Sequence, residues 1–193
     1  REPRIVRPLN LAPGAPGRGI GELRTARGQK VLVLQVLGRL FMQLYDDPFR
    51  ALEAELKRHA LGGTAQAIVV DIHAEATSEK VALGHFLDGR VSLVAGTHTH
   101  VPTADARILP GGTAYITDIG MTGDYDSVIG MDKTGSLHRW RSDVPGQRLA
   151  PAMGPAMLCA VLVETDDRTG LARRVEPIRV GSGLAPALPR AAD

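Results

Sequence analysis

Gln66-Ala67-Ile68-Val69-Val70-Asp71-Ile72 runs without a break into His73-Ala74-Glu75, and this join decides the fold. The apolar run has the length of a buried strand rather than of a helix. A histidine directly after such a strand stands where α/β folds keep their sites, at the carboxyl ends of the strands. Downstream, Thr77 or Ser78 caps a helix through Val81, Leu83 and Phe86 to Gly89. Val91 to Ala95 is the next strand, and it also runs into histidines, in Gly96-Thr97-His98-Thr99-His100. Upstream, Lys30 to Leu37 (KVLVLQVL) reads as a strand buried on both faces. Asp47 and Pro48 then suit the N-cap and first turn of a helix that carries Phe49, Leu52 and Leu56 on one face and ends at Gly62-Gly63. Strand, helix, strand, helix, strand is an α/β pattern.

Farther out, Thr113 to Thr117 is a fourth strand and Asp132 to Trp140 a short helix. Met157 to Glu164 and Ala172 to Val180 read as two strands joined by the turn from Asp166 to Gly170. This later run of strands predicts a mixed sheet or a second sheet packed on the first. Residues 1–28, with Pro3, Pro8, Pro13, Pro16 and glycines up to Gly28, show no periodicity and read as a long irregular connection. One domain is expected over residues 1–181, with a disordered tail over 182–193. The sequence opens at Arg1, inside what reads as a loop, and the expectation is that a preceding N-terminal segment is missing from it.

Composition narrows the class. With 44% hydrophobic and 23% charged residues, the chain is ordinary for a globular domain. A net charge of +2, from 23 cations and 21 anions, implies no broad basic face for nucleic acid or for an anionic membrane. No stretch approaches the roughly 18 apolar residues of a membrane span. The single Cys159 lies in an apolar run, so it reads as a buried small hydrophobe in a reducing compartment, and the expected location is cytoplasmic.

Two neighbouring strand ends thus deliver His73, His98 and His100 to one rim. In extended backbone, residues two apart point to the same side about 6.5–7 Å apart. That spacing suits ligands flanking two metals about 3.5–4 Å apart. Imidazole takes zinc, iron, manganese or nickel, so the ligands do not name the metal. The competing reading is a polar strand end with no ligand. His59, near a helix C-terminus, His85, within a helix, and His138, between Leu137 and Trp140, have no companion ligand close in sequence and read as structural. Asp71 stands two residues before His73 and either orients a ligand from behind or faces solvent. Thr77 and Ser78 read as caps before they read as a phosphate cradle. The glycine-rich loop from Gly120 to Ser127 is open to two readings, a cover over substrate or a subunit contact.

The stretches Asp71 to Lys80 (DIHAEATSEK), Gly96 to Asp105 (GTHTHVPTAD), Thr117 to Gly123 (TDIGMTG) and Ser127 to Lys133 (SVIGMDK) resemble the bacterial YmdB-like metallophosphoesterases of the calcineurin-like superfamily. The resemblance extends from the Arg7-Pro8-Leu9-Asn10 region to the C-terminal strand pair. It implies a layered α/β/β/α sandwich, here lacking its first strands, around two divalent metal ions, iron or manganese. It implies hydrolysis of phosphodiesters, typically 2′,3′-cyclic nucleotides giving a 3′-nucleotide, by hydroxide attack at a two-metal centre. By position, His73 and His98 would share one metal and His100 would bind the other. The family's first-strand Asp, its bridging Glu before Asn and its Asn-His pair precede the region where this sequence opens. They supply the other ligands and the proton donor, so no catalytic proton donor is expected in residues 1–193, and this chain alone is expected to be inactive.

Three other functions compete: a phosphomonoesterase on the same scaffold, a non-catalytic nucleotide- or metal-binding regulatory module, and a structural domain whose histidines bind nothing. The partner expected is a small nucleotide, without membrane or strong nucleic-acid signal. Whether the protein forms homo-oligomers is left open.

Overall fold

Residues 30–37 alternate strictly, with Leu32, Leu34 and Val36 fully buried and the residues between them half-buried. That alternation makes β2 (Lys30–Leu37) a strand with one fully covered face. The computed structural model describes residues 2, 4–144, 146 and 148–191. Arg1 and Pro3 of the expected opening loop, and residues 192 and 193 of the expected tail, lie outside the described residues.

The chain forms β1 (Ile20–Arg24), β2, α1 (Pro48–Leu56), β3 (Ala67–His73), α2 (Thr77–Leu87), β4 (Leu93–Thr97), β5 (Arg107–Ile108), β6 (Ala114–Ile116), β7 (Gly123–Asp124), α3 (Lys133–Arg141), β8 (Ala156–Thr165) and β9 (Ala172–Gly181). One sheet has the order β1-β2-β3-β4-β6-β5, and β7-β8-β9 form a second. The centre of the first sheet, β2-β3-β4-β6, is parallel, and both edges are antiparallel. The α/β class is therefore as expected, with a mixed sheet and a second sheet together.

Two cores divide the layers. Leu32, Leu34, Val36, Ile68, Val70 and Ile72 face α1 and α2 through Leu52, Leu83 and Leu87. On the opposite face, Leu93, Ala95, Ala114 and Ile116 meet Val161, Val163 and Val175 of the second sheet. Only β4 carries four consecutive buried residues; β2 and β3 are fully buried on the helix side alone. The expectation of strands buried on both faces is corrected accordingly, because the second sheet packs on the β4 side. The Ser92 hydroxyl joins the layers: it accepts from the Ile68 amide at 3.1 Å and donates to the Gly170 carbonyl at 2.6 Å.

Local chemistry sets most element ends. Asp47 caps α1, its carboxylate accepting from the amides of Phe49 and Arg50 at 2.9 and 3.2 Å. This helix stops at Leu56 with Lys57 as C-cap, well short of Gly62-Gly63, and turns fill the interval. The N-cap of α2 is Ala76, without a side-chain cap bond, so Thr77 and Ser78 lie inside the first turn instead of capping it. The irregular opening contains β1, which pairs with all of Lys30–Leu34. Beyond Gly181, the main chains of Arg179 and Ala187 exchange hydrogen bonds at 2.8 and 3.0 Å, so the expected tail folds back on β9 at that point. Among the described residues no helix is long and apolar enough to cross a membrane.

Candidate functional site

Parallel pairing puts His73 beside Thr97 and Asp71 beside Ala95 at the carboxyl ends of β3 and β4. Because strand side chains alternate, Asp71 and His73 share the half-buried face of β3, away from the helices. The Thr97 hydroxyl donates to Asp71 Oδ1 at 2.9 Å. Its proton being used there, the same oxygen accepts from His73 Nδ1 at 3.0 Å. This fixes the ring and leaves the lone pair of His73 on Nε2. Asp71 therefore acts on His73 through Thr97, not directly.

His73 Nε2 lies 3.1 Å from His98 Nδ1, and the rings meet edge to face with centroids 4.9 Å apart. The other nitrogen of His98, Nε2, stands 2.6 Å from Glu75 Oε2. A chain of five side chains thus runs Asp71–Thr97–His73–His98–Glu75. Burial pushes the Asp71 carboxyl up from its ordinary value, against the bonds from Thr97 and Gln35. Burial, followed by the charge of His98, pushes His73 down.

His100 is placed differently. Its Nδ1 donates to the Ile129 carbonyl at 2.9 Å, and it makes no hydrogen bond to the other two histidines. It still bears electrostatically on His73. His98 and His100 both have positive φ, 121° and 66°, a conformation that non-glycine residues hold only when surrounding bonds impose it. Of the remaining histidines, His138 Nε2 bonds the Val144 carbonyl at 3.2 Å. Among the described residues, no three His, Cys, Asp or Glu side chains gather as a ready metal cage.

The histidine pair can be tested for fit to a metal by its spacing. Nitrogens about 2.0–2.1 Å from one ion, at octahedral to tetrahedral angles, lie roughly 2.8–3.4 Å apart. The 3.1 Å between His73 Nε2 and His98 Nδ1 fits adjacent positions on one ion. His100, with Nδ1 donating to the Ile129 carbonyl, keeps its lone pair on Nε2, as a metal-ligating histidine commonly does.

Two residues at this rim escape the strand-end reading. Lys80 and Asp118 form an ion pair at 3.1 Å, each side chain 1% exposed, directly beneath the loop of His98 and His100. The signal for Lys80 was present in sequence: with Leu83, Gly84 and Leu87 it occupies the i, i+3, i+4, i+7 stripe that α2 buries. Tyr125 also reaches the loop, its hydroxyl donating to the His100 carbonyl at 3.1 Å. Burial, then the Cys159 thiol 3.3 Å away, pushes this phenol up to about 12.

With the geometry in place, comparison with known proteins identifies the lineage. The sequence pattern of a family described as YmdB-like protein matches residues 1–178. The chain belongs to that family. A relative from Bacillus subtilis, named 2′,3′-cyclic-nucleotide 2′-phosphodiesterase, is 47% identical over 178 residues, covering 92% of this chain and 66% of its own length. A crystal structure of a hypothetical protein from Thermus thermophilus superposes with a TM-score of 0.84 at 46% identity, over 92% of this chain and 68% of that one. The structure of a novel phosphatase from Mycoplasma pneumoniae superposes with a TM-score of 0.79 at 34% identity, over 91% of this chain and 63% of that one. The chain therefore spans about two thirds of the length of these relatives.

Proposed function

We propose that this YmdB-like protein is a phosphodiesterase that opens 2′,3′-cyclic nucleotides at a centre of two divalent ions, with iron or manganese as the metals. The observation that carries the reading is the 3.1 Å approach of His73 Nε2 and His98 Nδ1 at neighbouring strand ends. The name of the Bacillus subtilis relative supports the substrate class. The two cores on opposite faces of the first sheet support the family's α/β/β/α layering.

In this reading His73 and His98 would hold one ion, and His100 would offer Nε2 to the other while its Nδ1 stays on the Ile129 carbonyl. Divalent ions so held polarise phosphoryl oxygens and lower the pKa of water. The protein's own part is to present the donors. Thr97 and Asp71 keep the lone pair of His73 on Nε2, while Glu75 takes up the outer nitrogen of His98. Two ions held in this way would call for carboxylate donors beside the three imidazoles. The lone Cys159 and the small-nucleotide substrate fit a cytoplasmic enzyme.

The test uses the product of the complete reading frame that contains residues 1–193, beside the 193-residue chain, with Mn²⁺ or Fe²⁺. The expected result is conversion of 2′,3′-cyclic AMP to the 3′-nucleotide and cleavage of bis(p-nitrophenyl) phosphate, both lost in His98→Ala. Cleavage of p-nitrophenyl phosphate with the diesters intact would replace this reading with a monoesterase. Nucleotide binding without any turnover would replace it with a regulatory module.

A further inference from the structure

Asp118 lies two residues past β6 and is 1% exposed, and its polar atoms bond Lys80, Gly120 and the loop that carries His98 and His100. Its Oδ2 accepts from the Thr99 amide at 2.8 Å and from Lys80 Nζ at 3.1 Å, and its Oδ1 accepts from the Gly120 amide at 2.9 Å. Its carbonyl accepts from the Thr103 amide at 3.0 Å, and its own amide donates to Thr103 Oγ1 at 3.0 Å. One residue therefore grips the loop at both ends: at Thr99, between the two histidines, and at Thr103, where the loop returns to the sheet.

Lys80 reaches this point from the core side of α2 and is 0% exposed. A buried ion pair is a poor means of stabilising a fold, since apolar residues of similar volume do as well or better. The strained backbone on either side of Thr99 offers a use for it, because positive φ at two successive histidine positions persists only under bonds from outside the loop.

We propose that Asp118, set in place by Lys80, is a positioning residue for the histidine rim: by holding the Thr99 amide it imposes the backbone of His98 and His100 and so the directions of their rings. The inference rests on the reading of those histidines as metal donors, and it assigns Asp118 no contact with substrate.

The experiment compares Lys80→Met/Asp118→Asn with Lys80→Met/Asp118→Leu. Both remove the ion pair, but asparagine retains an acceptor for the Thr99 amide. Three signals are read: hydrogen exchange at Thr99, the imidazole ¹⁵N shifts of His73, His98 and His100, and Co²⁺ affinity by absorption. The asparagine variant should keep the Thr99 amide protected and the histidine signals of the parent. The leucine variant should expose Thr99, lose the signature of the His100–Ile129 bond and weaken Co²⁺ about 10–100-fold, as loss of a ligand-orienting partner does. A folded leucine variant with Thr99 still protected and unchanged imidazole signals overturns the proposal. Should the leucine variant not fold, Lys80→Met/Asp118→Ala is read by the same signals. If the parent binds no Co²⁺, the metal reading alone falls, and the amide and imidazole signals still decide the positioning role.

Discussion

Gly96 in β4 lies against Thr117, just past the end of β6, so closely that a β-carbon on Gly96 would overlap the Thr117 carbonyl oxygen. The Ile119 amide reaches back to the Gly96 carbonyl at 3.0 Å across the same gap. The strand bearing the His98 loop and the strand bearing Asp118 are thus drawn together where a side chain is missing. Gly96→Ala sets a methyl group against backbone, which cannot rotate away. The expected loss is more than about 3 kcal/mol of folding stability, beyond the usual range for overpacking, and urea unfolding measures it.

Lys80→Met alone isolates the other side of that junction. The Asp118 carboxylate would stay buried with no counter-charge, and removing one partner of a buried pair costs about 3–5 kcal/mol. Adding Asp118→Asn to it should recover most of the loss. A single variant as stable as the parent in urea would show that water reaches Asp118.

Thr97→Val keeps the shape of the side chain and deletes the link between Asp71 and His73. His73 then loses the acceptor that keeps its lone pair on Nε2, and Mn²⁺ affinity should drop about 10–100-fold, whereas Thr97→Ser should bind as the parent does. Calorimetric titration separates the two outcomes.

Asp105 gives a pH dependence away from the histidines. Burial pushes its carboxyl up, but bonds from Thr103, Thr117 and Arg107 outweigh this and leave it below its ordinary 3.8. Between the folded and unfolded values the unfolded chain binds more protons, so stability from Asp105 rises with pH. It is complete above about 3.8 and is lost as pH falls through the lower folded value. The gap in urea midpoint between the parent and Asp105→Asn should be widest near neutral pH and close in acid.

What the sequence disclosed was local. Strands β2 and β3 are apolar runs, and Asp47-Pro48 is a cap followed by a helix start; both read directly. His73 and His98 were legible because one ends β3 and the other directly follows β4, and parallel pairing then brings strand ends together. β1 was hidden because Glu22, Leu23 and Arg24 of this edge strand are exposed, which leaves no burial pattern to find. The direction of His100 was equally hidden, since it depends on a positive φ and on a carbonyl 29 residues away. Lys80 reads as a surface charge until its place on the stripe with Leu83 and Leu87 is counted.

The Ser92 hydroxyl, bonded to Ile68 on one side and Gly170 on the other, sets an order of events. Gly170 lies 78 positions beyond Ser92 in the chain, so that bond closes only when the β8–β9 hairpin arrives. Contacts of such long sequence separation form slowly. During synthesis the strands that end in His73 and His98 emerge well before the hairpin that covers β4 and β6. For that interval their apolar face is open to other chains, which leaves the nascent protein exposed to aggregation until the hairpin closes over it.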